Sequence, residues 1–165
     1  MRTIKLLALS TLLAATAFVS SGPPWISIEY PGNPYAQDVK DAFLYVHAFH
    51  HGTPVPNPVS GTAEGLVKGE RRTVALRFEN TERVGVYALT KQWPSEGLWT
   101  LVIGATQGGG ENSTAYAVVE LNASGTVSSV NVPTTRRNNY LVPAAVAMTA
   151  IDAGLRTRAA QVASR

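Results

Sequence analysis

Three histidines carry most of the chemical potential of this chain, and they lie close together: His47, His50 and His51. Imidazole nitrogens ligate Cu(II) and Zn(II), so such a cluster raises copper as a cofactor. An extended strand works against a single three-histidine site. His47 and His51 would share a face but lie ~13 Å apart at ~3.3 Å per residue. A metal–nitrogen bond is only about 2.0–2.1 Å. His50 points to the opposite face. Only a bend at His50-His51 brings two of them together, with further ligands drawn from another strand, where Glu29, Glu64 and Glu120 are available. The competing assignment is structural: His47 packs with Tyr45 and Phe49, and His50 and His51 close a strand end.

Other chemistry is poorly supplied. Cysteine is absent, which excludes a disulfide scaffold, a thiol nucleophile, an iron–sulfur site, a Cys-zinc site and a lipidated N-terminal Cys. There is no Gly-x-Ser-x-Gly elbow, and histidine bases are confined to one strand. Glu79 and Glu82 flank a turn. Lys68-Gly69-Glu70-Arg71-Arg72 lacks the Gly-Lys-Ser/Thr of a phosphate loop, and Gly108-Gly109-Gly110 is followed by no helix. Asn112-Ser113-Thr114 and Asn122-Ala123-Ser124 match the glycosylation pattern, but both fall where turns are expected and Asn and Ser serve turn geometry. No enzyme is expected.

The elements that must position these residues read as strands. Hydrophobic residues are 45% and charged residues 15% of the 165-residue chain, with 14 Gly and 10 Pro. That balance fits neither a disordered tail nor a coiled coil. Trp25–Tyr30 alternates with period two, placing Ile26, Ile28 and Tyr30 on one face. Ala42–His50 is apolar on both faces and suits a central strand. Gly52-Thr53-Pro54 turns the chain. Val59–Val67, Arg72–Phe78, Val84–Lys91, Leu98–Thr106, Thr114–Leu121 and Val127–Val132 continue the series, with Trp99, Leu101 and Ile103 inward. Seven to eight short strands with intervening turns predict an antiparallel β-sandwich, because a single sheet cannot bury this many apolar faces.

Both ends depart from that pattern. Arg2 and Lys5 precede an apolar run from Leu6 to Val19, shorter than the about 20 residues that span a bilayer. Residues 1–21 therefore read as an export signal, cleaved before Gly22 or, alternatively, after Ala17. Removing it lowers the 14 basic residues to 12 against 11 acidic, so the mature chain carries +1 rather than +3. The high pI thus gives no support to a nucleic-acid partner. Thr134–Asn139 reads as a polar basic linker. Beyond it Met148, Ile151, Leu155, Ala159 and Val162 fall on one stripe of a helix, with Pro143 in its first turn and Arg156, Arg158 and Arg165 toward its C-terminal end. So thin a stripe either docks weakly or frays.

Three segments match a family pattern. They are Val46-His47-Ala48-Phe49-His50-His51-Gly52-Thr53-Pro54-Val55, Gly85-Val86-Tyr87-Ala88-Leu89, and Trp93-Pro94-Ser95-Glu96-Gly97-Leu98-Trp99-Thr100-Leu101-Val102. Over about residues 42–106 the chain resembles the YtkA-like and FixH-like exported domains. The resemblance implies an immunoglobulin-like fold, an exported location and, for some members, a link to copper or cytochrome-oxidase assembly. Read from the residues themselves, Gly85 and Gly97 are turn residues. Tyr87 and Trp99 are amphipathic packers that bury a ring and satisfy an O–H or N–H.

The expected organisation is a signal peptide over 1–21, an all-β immunoglobulin-like sandwich over 22–133, a linker over 134–143 and an amphipathic helix over 144–165. The expected function is that of a non-enzymatic module, periplasmic or extracellular, that binds a protein partner in the cell envelope and stays off the membrane once the signal is removed. Its contacts are His50, His51 and Thr53, where the central strand leaves the core. The alternative is a periplasmic copper-handling domain that uses His47, His50 and His51.

Overall fold

The computed structural model describes residues 22–33, 35, 39–109 and 113–164. The expected signal segment, the first of the two glycosylation-like asparagines and Arg165 lie outside them.

Among the described residues the chain forms twelve strands and one helix: β1 (Pro24–Glu29), β2 (Ala42–His50), β3 (Thr53–Pro54), β4 (Val59–Val67), β5 (Glu70–Leu76), β6 (Glu79–Asn80), β7 (Val86–Thr90), β8 (Leu98–Thr106), β9 (Thr114–Leu121), β10 (Val127–Asn131), β11 (Thr134–Arg137), β12 (Tyr140–Pro143) and α1 (Met148–Ala163). All pairings are antiparallel. One sheet runs β1-β2-β7-β6, with β3 also paired to β2; the second runs β10-β9-β8-β4-β5; β11 and β12 pair only with each other. The fold is an all-β sandwich, with more strands than the seven to eight expected. The surplus consists of short pieces such as β3 and β6 and of the β11–β12 pair.

The core follows from the alternation. Ile26, Leu44, Val46, Ala48 and Leu89 face inward from the first sheet. Ala63, Leu76, Trp99, Leu101, Ile103, Ala117, Val119 and Leu121 meet them from the second. Such interdigitation removes both apolar faces from water at about 25 cal/mol per Å². Trp99 lies directly opposite Gly65 on the neighbouring strand. A Cβ on Gly65 would come within 2.5 Å of the indole ring, so only glycine leaves room for it.

Three expectations are corrected at the turns and the C-terminal part. The turn after β2 is His51-Gly52, with φ of +50° and +77°, and Thr53-Pro54 is already strand. Two consecutive positive φ values are those of the tight hairpin turn that matches strand twist. Residues 134–143 are a two-stranded ribbon, not a linker: Asn138 and Asn139, with φ of +45° and +66°, close it. Pro143 is the buried last residue of β12, not part of a first helical turn, and the helix begins at Met148.

The helix docks on the second sheet. Ile151 and Leu155 are buried against Leu98, Val102, Leu66, Tyr116 and Val118 on the outer side of the second sheet. Met148 and Val162, at the two ends of the expected stripe, are exposed. Arg158 does not serve the helix C-terminus. It turns to the sheet, donating to the carbonyls of Trp99 (3.3 Å) and Leu121 (2.8 Å) and to the Thr100 hydroxyl.

Candidate functional site

The three histidines separate into two places. His47 lies on the outer face of the first sheet, where its ring stacks on Phe49 with centroids 6.0 Å apart. Its Nε2 is 2.8 Å from Glu29 Oε2. Arg83 approaches the same carboxylate at 3.4 Å, and its guanidinium lies over the Tyr45 ring at 5.0 Å from the centroid. The Asn33 N–H donates to Glu29 Oε1 at 3.0 Å. Burial alone would raise the Glu29 pKa, but the hydrogen bonds from Asn33, His47 and Arg83 and the Arg83 charge outweigh it and hold the carboxyl below its ordinary range. His47 is thus committed to a cross-strand contact and does not join the other two.

His50 and His51 do come together. The positive φ at His51 swings the second ring to the side of the first, and the centroids lie 4.3 Å apart. His50 Nε2 is 3.2 Å from the Gly22 carbonyl oxygen. The side of Gly22 where a Cβ would stand lies 2.8 Å from His51 Nε2 and 2.6 Å from its Cε1. Both Nε2 atoms therefore converge on Gly22. Thr53, paired with His50 across the turn, is exposed.

The other carboxylates considered as ligands are occupied. Glu64, only 3% exposed, accepts from Arg71 at 3.0 Å and from the Thr73 hydroxyl at 2.7 Å. Arg71 also reaches Asp152 of α1 at 2.7 Å. Glu120 accepts from the Ser129 hydroxyl at 3.0 Å and lies 3.8 Å from the Arg158 guanidinium. Burial lowers the Arg158 pKa, and the Glu120 charge partly restores it. These groups fasten α1 to the second sheet. Among the described residues no three His, Asp or Glu side chains are grouped to hold a metal ion.

The sequence reading missed the β11–β12 ribbon. All of β11 is exposed, Tyr140 is 75% and Leu141 53% exposed, and of the ten residues only Pro143 is buried. The backbone N–H of Ala144 donates to the Pro133 carbonyl at 3.0 Å and ties the base of the ribbon. Arg136 pairs with Leu141 and Arg137 with Tyr140. A usable signal was present: an Asn-Asn pair between Thr-Thr-Arg-Arg on one side and Tyr-Leu-Val on the other is a hairpin pattern.

Comparison of the chain with protein-family models, with curated proteins and with solved structures finds no match.

Proposed function

We propose that this chain is an exported, non-enzymatic binding module that holds a protein partner of the cell envelope through the β11–β12 ribbon. The observation that carries the reading is a solvent-exposed ribbon with Tyr140 and Leu141 outward. An isolated two-stranded hairpin is marginal in water, and tyrosine and arginine dominate interface hot spots. Exposed Arg136 beside Tyr140 and Leu141 sets the partner's chemistry: an apolar slot edged by acidic groups. The His50–Thr53 turn is a second contact, small and polar.

The test is site-specific photocrosslinking in cells that export the full chain. A photoreactive phenylalanine at position 140 is expected to yield one discrete adduct, absent from the same probe at Lys91 and lost in Arg136→Glu/Arg137→Glu. Equal labelling from positions 140 and 91, or none from 140, refutes the ribbon as the contact.

A further inference from the structure

The geometry points to a Cu(II) site completed by the new N-terminus of the processed chain: the Gly22 α-amine and carbonyl oxygen with the imidazoles of His50 and His51. The inference rests on the export reading, because only scission before Gly22 frees that amine. Three observations carry it. His50 Nε2 lies 3.2 Å from the Gly22 oxygen. The Nε2–Cε1 edge of the His51 ring stands against the same residue, 2.8 Å and 2.6 Å from the point where a Cβ of Gly22 would lie. The imidazole centroids are 4.3 Å apart. Two imidazoles bound side by side to one ion at about 2.0–2.1 Å place their centroids about 4.4 Å apart.

The ligand chemistry selects the ion. An N-terminal amine and the carbonyl oxygen of the same residue close a five-membered ring on a metal. Pro23 follows, and its nitrogen has no hydrogen to lose, so the chain cannot supply a deprotonated amide there and the oxygen remains the donor. Three nitrogens and one oxygen in a tetragonal set suit Cu(II). On binding, His50 exchanges its hydrogen bond to the Gly22 oxygen for the metal.

The experiment starts from the full chain expressed with export. The intact mass of the recovered protein identifies its first residue. Cu(II) alone is then titrated in competition with a chromophoric chelator, and the bound ion is examined by electron paramagnetic resonance. Two variants accompany it: His50→Ala/His51→Ala, and a chain with one alanine inserted before Gly22, which displaces the amine and leaves the described fold untouched. Thermal melts without metal check that all three are folded. The expected result is one Cu(II) per chain with three-nitrogen coupling, a loss of affinity of at least tenfold on the insertion and about a hundredfold in the double variant. Equal binding by the three chains, or binding that survives either change, overturns the site and leaves export intact. Recovery of an unprocessed chain, or of one beginning elsewhere, overturns the site, and the unprocessed chain overturns the export reading with it.

Discussion

Glu29 receives a backbone N–H, an imidazole and a guanidinium on one carboxylate, and its pH behaviour follows from that. The fold holds its pKa below the ordinary value of 4.5. A depressed carboxylate contributes stability that is fully present above the unfolded-state pKa and is lost as pH falls through the native one. Glu29→Gln is expected to cost about 1 kcal/mol at pH 7, and the gap from the parent protein should narrow as pH falls below the ordinary value of 4.5. Urea midpoints at pH 7 and pH 3.5 measure it; a gap independent of pH would assign the loss to shape rather than charge. The packing of His47 with Phe49 was legible in the sequence, but Glu29 stood there only as a possible metal ligand, because strand register, which places Ser27 opposite His47 and Glu29 opposite Tyr45, cannot be read from composition or periodicity. Amphipathic rings were easier. Tyr87 donates its O–H to the Asn57 carbonyl at 2.7 Å, with burial raising its pKa, and Trp99 donates Nε1–H to the Glu96 carbonyl at 2.9 Å. A large ring with one polar tip has few other ways to be buried.

Among the elements, the contact of α1 with the second sheet depends on Arg71, which lies between Glu64 and Asp152. Removing it strands a carboxylate that is 3% exposed. Arg71→Met is expected to destabilise by about 3 kcal/mol, and Glu64→Leu/Arg71→Met by clearly less, since the double change leaves no buried charge without its partner. Chemical denaturation of both variants decides this; a double variant worse than the single one would contradict it. Period-two alternation revealed the strands because one face of each is apolar, as in β9, where Ala115, Ala117, Val119 and Leu121 are buried. The same logic failed for β11 and β12, which bury almost nothing and so carry no hydrophobic alternation. It also understated α1. A stripe as thin as Ile151 and Leu155 looked weak only because the ionic contacts beside it, from Arg71 and Arg158, come from residues far apart in the chain.

At the scale of the whole molecule the layers are unequal. The second sheet has the first sheet on one side and α1 on the other. β8 is the strand where both coverings meet, and every residue from Leu98 to Ala105 is buried. The ribbon of β11 and β12 is the opposite extreme. In deuterium oxide, then, peptides from β8 should take up label only through global opening, while those from Thr134–Arg137 should exchange within seconds to minutes. Mass spectrometry resolves the two populations, and ligation of a partner at the ribbon should slow the second and leave the first at its original rate. The molecule thus has a built-in internal clock: its slowest amides report its thermodynamic stability, and its fastest report whether anything is bound.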